Sequence, residues 1–131
     1  MRKMATALTT IACASMVTAA DAQSIQRVAF KRGNDNASVS GATTGRQYRD
    51  YLIGTRAGQR LGVSMITKGN AYFNILPPEG DVALYNSSSD GNDVTGIMLP
   101  RTGDYRVRVY LMGAAMRGTR AVPFQLSIAV M

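Results

Sequence analysis

The sequence predicts an all-β protein, a single antiparallel β-sandwich of about eight strands preceded by a cleaved signal peptide. Three observations predict it. From Ile25 onward, short segments rich in β-branched and aromatic residues alternate with Gly, Asn, Asp, Ser and Pro, the spacing of strands and turns in sandwiches and barrels. No window shows sustained helical periodicity. Residues 105–111 and 122–130 alternate apolar with polar side chains, at the period of two that a half-buried strand requires.

The N-terminus is a separate unit. Arg2 and Lys3 make a short basic region, residues 4–19 a mostly apolar run rich in Ala and Thr, and Ala20-Asp21-Ala22 a small-x-small cleavage site. That pattern assigns residues 1–22 to a secretory signal peptide and residues 23–131 to an exported, periplasmic domain. Thr6, Thr9, Thr10, Ser15 and Thr18 interrupt a run already shorter than the roughly 20 apolar residues of a membrane span, so no stable membrane insertion is expected. Cys13 is the only cysteine; cleavage before Gln23 removes it, and lipid attachment at Cys13 is the rival fate. Without disulfides the mature chain depends on packing, which one domain of this size can supply. Losing Arg2, Lys3 and Asp21 takes the formal net charge from +7 to +6. A basic exported domain is drawn to anionic membranes, polysaccharides, nucleic acids or the acidic clefts of other proteins. Nucleic acid fits least, because the arginines are scattered and not clustered with aromatics as a binding platform needs.

The strands are expected in the following order. Residues 25–31 form the first, with Val28 and Phe30 on one face, and Gly33-Asn34-Asp35-Asn36 is a turn by composition. Residues 37–43 return, weakened or bent at Gly41. Residues 48–53 and 60–67 form a hairpin around Ala57-Gly58-Gln59, with Leu61, Val63 and Met65 sharing a face. Ala71, Phe73 and Ile75 are the next inward set, stopped by Pro77-Pro78; residues 82–85 are a short strand and the polar run 86–93 a loop. Residues 94–99 lead into a turn, after which Tyr105, Val107, Val109 and Leu111 face the core and Arg106, Arg108 and Tyr110 face water. Phe124, Leu126, Ile128 and Val130 alternate in the last strand.

The stretch Leu99-Pro100-Arg101-Thr102-Gly103-Asp104-Tyr105 organises the rest. Pro100 cannot continue a hydrogen-bonded ladder and Gly103 tolerates positive φ, so Arg101, Thr102 and Asp104 are presented on a tight turn. A second exposed loop, residues 112–120, closes the strand that this turn opens. Its Met112-Gly113-Ala114-Ala115-Met116 is small and apolar, flanked by Arg117 and Arg120. It reads either as a short helical turn on a sheet edge or as an adaptable contact patch with cationic ends.

Absent residue types exclude most chemistry. There is no histidine, and no cysteine after cleavage, which removes the usual general base, the thiol nucleophile and the nitrogen and sulfur ligands of zinc. No enzymatic activity, cofactor or metal is expected. A carboxylate pair remains for glycosidase-like work, but Asp35, Asp50, Glu79, Asp81, Asp90, Asp93 and Asp104 mostly sit beside turn residues. Asp90-Gly91-Asn92-Asp93 lacks the D-x-D-x-D-G order and closing Glu of a calcium loop.

Several short motifs occur in a shared order: Val28-Ala29-Phe30-Lys31-Arg32-Gly33, Ser40-Gly41, Tyr48-x-x-Tyr51 followed by Gly58-Gln59, Leu99-Pro100-x-Thr102-Gly103-x-Tyr105, and the ending from Arg108 to Ile128. Through them nearly all of the mature chain resembles the periplasmic lysozyme inhibitors, small secreted β-sandwiches that inhibit goose-type and invertebrate-type lysozymes. The resemblance implies a non-enzymatic inhibitor whose partner is such a lysozyme. It puts Thr102, Gly103 and Tyr105 at the tip of a turn that enters the lysozyme cleft, with Arg101 on the same turn and Arg117 beside it. Thr102 stands where the family has serine and keeps the hydroxyl. Tyr110, Gly113 and Arg117 resemble a second signature of tyrosine, glycine and arginine, and Tyr48 is a further candidate contact. A lysozyme cleaves with carboxyl groups in a groove, so a blocker needs hydrogen-bond donors on a rigid projection. The spacing of Tyr105 with Val107 and Val109 equally fits a buried tyrosine with a satisfied hydroxyl.

Two other readings use the same residues. A carbohydrate- or peptidoglycan-binding module would use the basic charge with exposed Tyr48 and Tyr110, and a carboxylate enzyme would need two acids facing each other across a pocket. Homodimerisation through an edge strand is left open.

Overall fold

In the computed structural model, which describes residues 23–131, the apolar alternation resolves into two stacked sheets. The expected leader, residues 1–22 with Cys13, lies outside the described residues. The strands are β1 (Gln23–Arg27), β2 (Asn36–Thr43), β3 (Tyr48–Thr55), β4 (Arg60–Thr67), β5 (Ala71–Leu76), β6 (Tyr85–Asn86), β7 (Asp93–Met98), β8 (Gly103–Leu111) and β9 (Val122–Val130). Two single-turn helices interrupt them, α1 (Ser87–Asp90) and α2 (Ala114–Arg117). The first sheet runs β1-β3-β8-β5-β6 and the second β2-β9-β4-β7. Pairing is antiparallel except between β1 and β3.

The inward residues of both sheets make one core. Tyr51, Ile53, Phe73, Ile75, Tyr105, Val107, Val109 and Leu111 come from the first sheet; Leu61, Val63, Met65, Phe124, Leu126 and Ile128 come from the second. Each fully buried apolar side chain contributes on the order of 2 kcal/mol by leaving water. Tyr51 meets Phe124 edge to face, with centroids 6.1 Å apart, joining the layers. Gly41 stands opposite this pair for want of room, since a Cβ there would lie 2.5 Å from the Tyr51 hydroxyl and 2.9 Å from Phe124 Cζ.

Several sequence expectations are corrected. β3 and β4 are not a hairpin: residues 56–59 carry the chain from one sheet to the other, because Tyr51 and Ile53 oppose Leu61, Val63 and Met65 as layers instead of lying beside them. The first strand ends at Arg27, and Val28 and Phe30 pack on the core from the crossing loop. Residues 82–85 do not form a strand; Val82 is exposed and only Tyr85–Asn86 pairs with β5. Within the polar run, α1 is capped by the Asn86 side chain, which accepts the Ser88 amide at 2.9 Å. The described strands number nine.

Topology also sorts the connections by end. Residues 28–35, 56–59, 77–84 and 99–102 gather where β8 begins, called here the turn end. Residues 44–47, 68–70 and 112–121 gather where it finishes, the α2 end, and 87–92, which include Asp90, connect β6 to β7 on that same side. Nine residues of strand separate the two ends by about 26 Å at the ordinary rise.

Candidate functional site

At the turn end the polar side chains of residues 101–105 already have internal partners. Tyr105 is fully buried, and its hydroxyl donates to the Arg101 carbonyl (2.8 Å) while accepting the Arg101 amide (3.0 Å). The Thr102 hydroxyl accepts the Ala57 amide at 2.9 Å, and the Thr55 hydroxyl donates to the Gly103 carbonyl at 3.2 Å. Gly103 has a φ of +150°, and a Cβ there would meet Pro78 Cγ at 2.8 Å, so a side chain is excluded twice over. The exposed Arg101 pairs with Glu79 at 3.1 Å. Arg27 and Asp104 form a bidentate pair at 3.0 and 2.7 Å; those hydrogen bonds hold the Asp104 carboxyl below its ordinary range and raise the Arg27 guanidinium. The turn is a clasp.

The α2 end has the opposite character. Connections 44–47, 68–70 and 112–121 pack on one another: the Met112 amide donates to the Asn70 carbonyl (3.1 Å), and Arg46 Nη1 approaches Met116 Sδ (3.9 Å). Arg46, Lys68, Arg117 and Arg120 sit on these connections, which contain no Asp or Glu. Among the described residues none of the four joins an ion pair. The acids Asp35, Glu79, Asp81 and Asp104 lie at the turn end instead. Lys31, Arg32, Arg56 and Arg60 at the turn end likewise join no ion pair, but acids share that end with them, whereas connections 44–47, 68–70 and 112–121 carry cations alone.

Beside these cations, on the outer face of the first sheet, lies a row of tyrosines. Tyr72 and Tyr110 are cross-strand partners with ring centroids 6.4 Å apart. Tyr48 begins β3 one position beyond the Arg49–Val109 pair, which puts it next to Tyr110. Three adjacent strands make the row about 10 Å wide. Tyr110 Oη lies 3.2 Å from Asn74 Oδ1 and 3.1 Å from Asn86 Oδ1. The Arg108 guanidinium sits 4.1 Å from the Tyr48 ring centroid and is gripped by Asp50 at 2.8 and 2.9 Å. The Asp50 hydrogen bonds raise the Arg108 pKa. This pair, with Asp50 buried and Arg108 partly so, fixes the floor under Tyr48.

The sequence-derived candidates thus separate. Arg101, Thr102, Gly103 and Tyr105 belong to the turn end; Tyr48 and Arg117 belong to the α2 end. Arg117 is not beside Thr102, because the whole of β8 lies between them. The loop around Ala114 is a short helical turn, with Ala115 and Met116 packed on the core and Arg117 exposed. Sequence reasoning missed Arg46, Lys68 and Tyr72 as neighbours of Arg117 and Tyr48. Only the pairing of distant strands brings them together, although the alternation that turns Phe73 inward already turned Tyr72 outward.

No protein-family model matches the chain, and no curated protein matches it. Solved structures do. PliG from Aeromonas hydrophila, a periplasmic lysozyme inhibitor of g-type lysozyme, superposes with a TM-score of 0.75 at 29% identity, covering 83% of this chain and 97% of that one. The structural neighbours of this chain thus include periplasmic inhibitors of g-type lysozyme. PliG from Salmonella Typhimurium matches with a TM-score of 0.64 at 28% identity, covering 82% of this chain and 97% of that one. The pre-peptidase C-terminal domain of a Bacillus anthracis collagenase shares the fold alone, with a TM-score of 0.58 at 13% identity over 79% of this chain and 93% of that one. The likeness to the PliG inhibitors spans both ends of the sandwich.

Proposed function

We propose that this protein is an exported, periplasmic inhibitor of g-type lysozyme that acts by occlusion and performs no chemistry of its own. The observation that carries the reading is its similarity to two PliG inhibitors over 97% of the length of each. The α2 end is the part offered to the enzyme. A glycoside hydrolase cleaves with carboxyl groups in a saccharide groove, and the complementary surface is cationic, rigid and rich in Tyr and Arg, the residues that dominate interface energetics. Arg117 and Arg120 on the α2 loop, Arg46 and Lys68 beside it, and Tyr48 at the rim meet that description. The long-range attraction of this end for an acidic cleft would also steer association.

The turn end serves by support. With the Tyr105 hydroxyl spent on the Arg101 backbone and Thr102 fastened to Ala57, it keeps the start of β8 fixed while the finish engages the partner. The test is a muralytic assay with a g-type lysozyme and a stoichiometric excess of the purified protein. Loss of lysis is expected. Undiminished lysis, or equal binding to cell wall with no lysozyme present, sinks the reading and favours a glycan-binding module.

A further inference from the structure

The turn end contains a cavity in which the proposed inhibition has no part. It lies where β3 and β9 finish, bounded on a third side by the crossing loop 28–35, and its volume of about 560 Å³ is that of a small-molecule site. Phe30 and Val130 supply its apolar lining. Gly54 adds a wall without a side chain, backed by the Arg27–Asp104 pair, since a Cβ there would lie 3.5 Å from Asp104 Oδ1 and 3.6 Å from Arg27 Nη1. Two charged side chains, Asp35 and Arg56, also line the cavity, and among the described residues they pair neither with each other nor with any other charge. Their backbones are fixed: the Asp35 carbonyl accepts the Val130 amide at 2.8 Å, and the Arg56 amide donates to Gln59 Oε1 at 2.7 Å. The Gln59 Nε2 and the Asn34 side chain, both on the same lining, hold no hydrogen bond among the described residues.

We propose that this cavity binds a short zwitterionic peptide, its free ammonium at Asp35, its carboxylate at Arg56 and an apolar side chain against Phe30 and Val130. Opposite charges that share one cavity without meeting fit a ligand that carries both signs and spans the gap between them. A neutral sugar would engage Asn34 and Gln59 but leave both charges unmet, and a simple anion would gain from Arg56 while facing Asp35. Size then selects a peptide. At about 30 Å³ for each water-sized group the cavity takes on the order of 20 non-hydrogen atoms, as many as a dipeptide or tripeptide and about twice as many as a free amino acid. Asn34 and Gln59 would serve the peptide bonds between the two ends. The cavity stands at the opposite pole from Arg117, so a peptide can occupy it while the α2 end engages an enzyme, and the inference does not rest on the inhibitor reading.

Isothermal titration of the purified protein with the dipeptide Ala-Phe is the test, repeated with its N-acetylated and its C-amidated forms. Saturable binding is expected at millimolar peptide or below, and blocking either end should weaken it about fivefold, a modest factor because both charged side chains are exposed. In Asp35→Asn the penalty for acetylation should vanish while that for amidation stays, and Arg56→Gln should show the reverse. Both variants should keep the far-ultraviolet circular dichroism and the lysozyme inhibition of the unaltered protein. That exchange of preferences is a result a merely distorted cavity would not give. Absence of saturable binding at millimolar peptide overturns the proposal, as does equal affinity for the three forms. Tighter binding of an N-acetylglucosamine trisaccharide than of Ala-Phe would assign the cavity to glycans and overturn it equally.

Discussion

The two ends of β8 use the same kinds of residue for opposite ends. At the turn end, Tyr105, Arg27 and Arg101 are matched by an internal backbone group or carboxylate, and the turn they build is fastened from within. At the α2 end, Arg46, Lys68, Arg117 and Arg120 have no such match, and Tyr48, Tyr72 and Tyr110 adjoin them on the outer face of the first sheet. Residue type therefore does not tell a contact from a brace. What separates them is whether the group's hydrogen-bonding and charge are satisfied within the fold, since a satisfied group gains little from a partner and an unsatisfied one gains more.

That contrast can be broken by substitution. The largest expected effect is on the floor of the tyrosine row: Asp50→Ala leaves the partly buried Arg108 without its carboxylate and should lower unfolding free energy by about 2 kcal/mol, read by chemical denaturation. Next is Arg117→Ala, expected to weaken inhibition at least tenfold, or about 1.4 kcal/mol, while the denaturation midpoint barely moves because the side chain touches no ion partner in the fold. Equal loss of inhibition with Thr102→Ala would reverse the assignment of the two ends.

Tyr105→Phe should give the converse result. Removing the hydroxyl strands the amide and carbonyl of Arg101 and should cost about 1–2 kcal/mol of stability, with inhibition by the folded protein unchanged. The smallest effect concerns Asp104. Its carboxyl is held below the usual range by hydrogen bonds to Arg27, so its contribution is present above the unfolded-state pKa and is lost as pH falls through the folded value. Both side chains are about half exposed, 56% for Arg27 and 46% for Asp104, so the contribution is small. Acid unfolding monitored between about pH 5 and pH 2 should therefore be slightly shallower in Asp104→Asn.

Much of the architecture was legible in the chain. Period-two alternation located β8 and β9 almost to the residue, and gave the inward sets Leu61-Val63-Met65 and Ala71-Phe73-Ile75, because burying one face of a strand constrains every second position. Pairing was less legible. Whether β3 turns back on itself or crosses to the other sheet depends on which apolar faces oppose each other, and the turn 56–59 is compatible with both. The inward direction of Tyr105 could be read from Val107 and Val109, but its two bonds to Arg101 could not, since they need the turn already folded.

By itself, then, the sequence determined a basic all-β chain without histidine, and it singled out Tyr48, Thr102 and Arg117. Only the tertiary structure decided that Arg117 belongs with Tyr48, Arg46 and Lys68 and not with Thr102. The reason is that β8 is straight and about 26 Å long, so residues joined by one short strand finish at opposite poles, while residues remote in sequence meet where antiparallel strands turn.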